Sequence, residues 1–495
     1  MTRARFADVV VDPAGTPIPT ATVEVFDAGT TTPVSDTIYD SAAGVGTLAN
    51  PFQTNAQGEV EFWLAAPRKV DLRYSKDGYI TEAHTVDVLD ALHGHSGTYA
   101  PITGSTVYAR KHLTVVRDVP RDLEQSVLAS VMATPPTFAT SGPGGSSPIS
   151  GGSPTHIAYN DPRVTLLGCV PVLYSQLTHD YYQNTVNAAW TPAPFAIEFD
   201  HYGDDLALKF RNNQASASYQ WVWVDGHPAT AAPVVSSAAS GGSPFYLRIT
   251  FGTVDYRRIR IWLYQSDFGG IDVKPTQSIN PTPTNRPKLG FYGDSFVEGT
   301  GGSNALQALS VTVGRLLHWE TFVAGQGGTG YVADGGHANK AAYTGAARIA
   351  AMVAAAPDYL IIFGSSNDDA TSSSTVGAAA ASLYASFASA LPNCKLIVVG
   401  PPSLSSSPGA GRQANRTAIA AAAAAASNVL GFIDPLNDAA STTWVFGSGS
   451  STATAGDGNA DYFNNGSVAG HPTQAGHDYY ARRIVKELLP LVGAA

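Results

Sequence analysis

From Lys288 to the C-terminus, short apolar runs alternate with helical stretches, and this alternation constrains the fold more than any other feature of the chain. The runs are Leu289 to Tyr292, Thr321 to Ala324, Tyr359 to Phe363, Leu396 to Val399 and Leu430 to Ile433. Helical segments fall near 305–317, 341–355, 376–390, 412–427 and 473–492. Apolar strands joined by helices predict a parallel sheet covered on both faces. The first run ends at Gly293-Asp294-Ser295, and a Gly-rich loop follows. A serine at the end of a parallel strand, with a helix behind it, is where an α/β fold exposes a nucleophile. Ser295 is therefore the first candidate for chemistry.

Before Lys288 the period is that of strands. Thr22-Val23-Glu24-Val25-Phe26 and Val70-Asp71-Leu72-Arg73-Tyr74 alternate apolar and polar, with turn signals at Asp12 to Gly15, Asn55 to Gly58 and Lys76 to Gly78. Residues 1–90 are expected to form a small β-sandwich. Residues 91–155 read as a connector: an amphipathic helix over Arg121 to Thr134, then a flexible Pro/Gly/Ser-rich linker to Pro154. Residues 156–280 return to strands such as Leu206 to Arg211, Tyr219 to Val224 and Arg258 to Leu263, which suggests a jelly-roll-like sandwich. Trp221, Trp223 and Trp262 lie there at strand spacing, either stacking on sugar rings or filling the core. His227 sits in a turn. The fold class expected is multidomain: two β-sandwiches, then an α/β three-layer, flavodoxin-like domain over 288–495.

At 495 residues the chain can hold about three domains. Its net charge is -10, with 14% charged residues and no basic stripe, which argues against nucleic acid as a partner. Cys169 and Cys394 fall in different segments and are expected free and buried. The N-terminal residues lack the pattern of a signal peptide, and no run of about 18 apolar residues predicts a membrane span. His93 and His95 are close in sequence but have no further ligands nearby, so no metal site and no cofactor are expected.

Four blocks in order carry a resemblance. They are Gly293-Asp294-Ser295; Gly325-Gln326-Gly327-Gly328-Thr329-Gly330; Gly364-Ser365-Ser366-Asn367-Asp368; and His471-Pro472-Thr473-Gln474-Ala475-Gly476-His477. Over 288–495 the chain resembles the SGNH (GDSL-type) hydrolases, a family of esterases, lipases and deacetylases. Residues 156–280 resemble the jelly roll that precedes the catalytic domain in some two-domain acetyl esterases. Residues 1–90 resemble the prealbumin-like sandwiches near the N-termini of phage tail proteins and in secreted enzymes.

A serine hydroxyl is a weak nucleophile until a base takes its proton. The family pattern puts that base directly before a proline, which selects His471, with His477 as second choice and otherwise a structural partner within the helix. The resemblance assigns the oxyanion hole to the Ser295 N–H, the Asn367 side-chain amide and a glycine N–H, best aligned with Gly330 and alternatively Gly327. Asp294 is expected to hold the turn. One departure stands out: the family's aspartate three residues before the histidine is Val468 here. A Ser-His dyad oriented by a backbone carbonyl, an acid displaced to Asp457 or Asp461, or an inactive site would each account for it. The long stretch 437–470 suggests a functional loop, with Trp444 and Phe446 either lining the cleft or anchoring the loop.

These readings imply a serine esterase acting on cell-surface glycan esters, a deacetylase in the broad sense. A lipid ester and a non-catalytic binding platform are the alternatives. The implied setting is a phage tail virion, with other tail proteins and a homotrimer as partners; a bacterial extracellular protein is the second.

Overall fold

The computed structural model describes residues 4–9, residues 20–90 apart from short stretches, and residues 131–493 apart from several stretches, the longest being 237–243, 446–458 and 464–469. The chain divides into two compact units, Met1–Tyr108 and Ala109–Ala495.

Among the described residues of the first unit eight strands pair antiparallel. Their order is Thr47–Leu48, Ile38–Tyr39, Glu59–Leu64, Ala4–Val9, Glu82–Asp90, Arg68–Ser75, Thr22–Asp27 and Phe52–Gln53. Val23, Val25, Val70 and Leu72 are buried together with Val60 and Phe62, so the alternation in the sequence marks one inward face. The turn expected at Asp12 to Gly15 and the pair His93 and His95 lie outside the described residues.

In the second unit the described residues before 281 form a twelve-stranded sheet whose pairings are antiparallel. Its spine is two long neighbours, Phe195–Asn212 and Phe245–Tyr264. The stretch 134–154 is not wholly a linker: Thr137–Thr140 pairs with Leu247 to Thr250, where its β-branched and aromatic residues take up open backbone groups of the longer strand. The helix expected over Arg121 to Thr134 lies outside the described residues except for 131–134. These are not helical, and the Met132 N–H donates to Pro228 O (3.1 Å).

The α/β part has five parallel strands: β1 (Lys288–Gly293), β2 (Glu320–Gly325), β3 (Tyr359–Phe363), β4 (Lys395–Val399) and β5 (Val429–Ile433). They lie in the order β2-β1-β3-β4-β5. Leu289, Phe291, Ile361, Phe363, Ile397 and Val399 face one core, which α2 (Leu309–Leu317) and the C-terminal helix α6 (Gln474–Gly493) close. Tyr292, Leu360, Ile362, Leu396 and Val398 face the other, closed by α3 (Ala346–Ala355), α4 (Ser373–Ala390) and α5 (Ala410–Ala425). Burial on both faces is why the strands read as continuous apolar runs. The chain changes direction across the sheet between β1 and β3, and ligands of open α/β sheets bind beyond the strand ends at such a point.

The two sheets of this unit share a core. Trp221, Trp223 and Trp262 are buried in the same cluster as Leu289, Phe291, Val313 and Leu317. The Arg315 guanidinium lies 4.7 Å from the Trp221 ring centre and 5.6 Å from that of Trp223. The three tryptophans are therefore core residues, enclosed where a sugar cannot reach them. Cys169 and Cys394 are both buried and unpaired.

Candidate active site

β1 ends in a tight turn that starts the short helix α1 (Ser295–Glu298). Asp294 caps it, its carboxylate accepting the Phe296 N–H at 2.9 Å. Ser295 is the first helical residue, so its own N–H has no acceptor within the helix. Its Oγ lies 2.8 Å from Nε2 of His471, which stands just before α6. A ring nitrogen at that distance can take the hydroxyl proton as the oxygen attacks a carbonyl carbon.

Asp294 is fully buried, and burial pushes its carboxyl up to about 7. Its second oxygen faces the Asn367 side-chain amide at 3.3 Å, and the same amide donates to Thr329 O at 2.8 Å. Asn367 thus ties the nucleophile turn to the glycine block. Asp368 beside it is buried, accepting the N–H groups of Tyr331 (2.7 Å), Val332 (3.2 Å) and Ala333 (2.8 Å).

The glycine block is arranged differently from the expectation. The Gly330 N–H donates to Ala333 O (2.8 Å), and a Cβ on Gly330 would fall 2.3 Å from the Asp368 carboxylate. Gly330 is thus a glycine because Asp368 lies against it, and its N–H is engaged away from Ser295. The Gly327 N–H donates to Glu298 Oε2 (2.7 Å), although a Cβ there would lie only 3.5 Å from that of Ser295. Between them Gly328 holds φ +80°, a left-handed conformation that suits glycine, and its N–H has no hydrogen-bond partner among the described residues.

His477 is fully buried. Its Nε2 donates to Thr300 O (3.1 Å) and its Nδ1 accepts the Leu309 N–H (3.3 Å), so it pins α6 to the segment after the nucleophile helix. Burial pushes its imidazole down to about 4. Val468 and Asp457 lie outside the described residues, as do Phe446 and the side chain of Asp461. Trp444 is buried against Tyr480, ring centres 5.0 Å apart, while its carbonyl accepts from Asn459 and Tyr479; it anchors the chain.

Four contributors had not been singled out from sequence. Arg348 is buried and donates to Gly293 O, Ala324 O and Thr329 Oγ1, joining the ends of β1 and β2 to the glycine block. Its signal is a lone charge in step with Met352 and Ala355 on the buried face of an alanine-rich helix. Glu298, Lys340 and Trp190 also surround Gly327. Nothing local marks them, because their contacts span up to 108 residues. Among the described residues no three His, Cys, Asp or Glu side chains converge as a metal site would require.

Residues 291–479 match the GDSL-like Lipase/Acylhydrolase family. The C-terminal part is therefore a GDSL-type hydrolase domain, and the protein is a carboxylic ester hydrolase of the SGNH class. No curated protein matches the chain by sequence. Among solved structures it is similar to the salicylyl-acyltransferase SsfX3 from a tetracycline biosynthetic pathway (13% identity, TM-score 0.52), covering 68% of this chain and 97% of that one. Two others are the acetyl xylan esterase Est2A from the rumen bacterium Butyrivibrio proteoclasticus (13%, TM-score 0.49, 69% and 99% covered) and a family two carbohydrate esterase from Clostridium thermocellum in complex with cellohexaose (16%, TM-score 0.49, 67% and 100% covered). At such identities the likeness is one of fold.

Proposed function

We propose that Ser295 and His471 hydrolyse short acyl esters on cell-surface glycans through an acyl-enzyme. The observation that carries this reading is the 2.8 Å contact between His471 Nε2 and Ser295 Oγ at the end of β1. Ser295 Oγ attacks the ester carbonyl while Nε2 takes its proton. The oxyanion meets the N–H groups of Ser295 and Gly328, and the Asn367 amide turns to it from its long contact with Asp294. The protonated imidazole then gives its proton to the leaving alcohol, and water repeats the sequence in reverse to free the acid.

The rim next to the glycine block carries exposed His337 and half-buried Lys340 and Trp190. With exposed Asp334 in the same loop, a polar rim carrying both charge signs suits a small acyl group on a hydrated glycan better than a lipid chain. The resemblance of residues 156–280 to the jelly roll of two-domain acetyl esterases favours the same substrate class. The resemblance of residues 1–90 in sequence to prealbumin-like sandwiches favours a phage tail setting, where this unit would join other tail proteins in a trimer and carry the enzyme to the host envelope. Ser295→Ala tests the chemistry. It should abolish both p-nitrophenyl acetate hydrolysis and labelling by a fluorophosphonate probe. Undiminished turnover would remove Ser295 from the mechanism, and an unlabelled wild type would leave a binding platform.

A further inference from the structure

Glu298 stands one turn after Ser295 on α1, and both its oxygens are used. Oε2 accepts the Gly327 N–H (2.7 Å) and Oε1 accepts the indole N–H of Trp190 (2.9 Å). The Gly327 carbonyl accepts Lys340 Nζ (2.6 Å), and that ammonium lies 4.2 Å from the centre of the Trp190 ring. Trp190, Glu298, Gly327 and Lys340 thus close a ring of contacts. Trp190 does not belong to the α/β part: it lies between strands His179–Asn184 and Phe195–Asn212 of the twelve-stranded sheet.

The same connection supplies a second fastening. Buried Asn187 donates to Gly325 O (2.8 Å), and Gln326 Nε2 donates to Asn187 O (3.2 Å). Residues 325–327 are therefore held from outside the α/β part, immediately before Gly328 and its unpartnered N–H. The direction of that N–H depends on where the backbone just before it is fixed. A shift of about 1 Å in such a donor can cost a hundredfold in rate.

We infer that Trp190, acting through Glu298, is a positioning residue for the oxyanion hole, so that the β-rich part completes the active site. This rests on the proposed role of Ser295. A tryptophan that only lined the cleft would act through its ring face, and phenylalanine would replace it. A positioning tryptophan acts through its indole N–H, which phenylalanine lacks.

The test uses the full chain. Trp190→Phe should lower kcat for p-nitrophenyl acetate and the rate of fluorophosphonate labelling about tenfold, below the 10² to 10³ typical of losing an oxyanion donor outright, with KM within twofold. Glu298→Gln, whose amide cannot accept both N–H groups, should do at least as much. The double variant should be no worse than Glu298→Gln by more than twofold, because the two act in one chain of contacts. Wild-type labelling and kcat in a folded Trp190→Phe would overturn the inference, as would a change confined to KM. If Trp190→Phe does not fold, Glu298→Gln is judged by the same kcat and labelling criteria. An unlabelled wild type would overturn the hydrolase mechanism and this inference together; a labelled wild type with an equally labelled Trp190→Phe would overturn this inference alone.

Discussion

Two buried groups near Ser295 titrate abnormally in opposite senses, and their effects on stability should cancel in the native protein. Asp294 is pushed up to about 7 from 3.8, chiefly by burial. The folded state therefore holds a proton that the unfolded chain releases, and the stability this gives is full below pH 3.8 and lost as pH rises through about 7. His477 is pushed down to about 4 from 6.5, again chiefly by burial. Here the unfolded chain binds a proton that the folded state refuses, so stability falls as pH drops from 6.5 towards 4. Each full proton of difference changes stability by about 1.4 kcal/mol per pH unit. Between pH 4 and 6.5 the two slopes are equal and opposite.

Removing either group should expose the other. Asp294→Asn keeps an oxygen for the Phe296 N–H but removes the titration, leaving His477 uncompensated. Relative to wild type it should lose about 3 kcal/mol between pH 6.5 and 4. His477→Gln should show the reverse, losing about 3 kcal/mol between pH 4 and 6.5. Each variant also carries a constant penalty from its altered hydrogen bonds, so the slope is the readout. Urea titrations at half-unit intervals, followed by tryptophan fluorescence, measure it. The signal comes mainly from the second unit, which holds every tryptophan except Trp63. If both variants parallel the wild type across the window, these two residues are not the compensating pair.

The glycine block gives a sharper contrast. Gly328→Ala places a Cβ at φ +80° beside the donor and should cut kcat by at least tenfold, whereas Gly330→Ala collides with the Asp368 carboxylate and should lower Tm first. Steady-state kinetics and thermal melts on both variants separate the cases. Trp221→Ala should cost about 3 to 5 kcal/mol in unfolding free energy, because the side chain lies in the core shared by the two sheets. A loss below about 1 kcal/mol in urea titration would deny that the sheets share it.

The α/β part could be read from sequence because both faces of its sheet are buried and each strand is joined to the next by a helix. Those conditions produce apolar runs and a change of period, and both are local. Which glycine of the second block keeps an unengaged N–H was not legible in the same way. The block offers Gly325, Gly327, Gly328 and Gly330, and only the partner of each N–H distinguishes them. The tryptophans were ambiguous for a related reason. In Ser218–Val224 the residues Val222 and Val224 face a core internal to the β-rich part, while Trp221 and Trp223 face the core of the α/β part. Strand periodicity says that such residues share a face but not what that face meets. Here it meets α2, through Arg315 and its neighbours, and the same sheet sends Trp190 to Glu298. A boundary near residue 280 marks where the period changes, while the packing and the hydrogen bonds that hold the glycine block both run across it. Cutting the chain there would separate Gly327 from two of the residues that hold its segment, and for that reason the hydrolase domain should be assayed together with the β-rich part that precedes it.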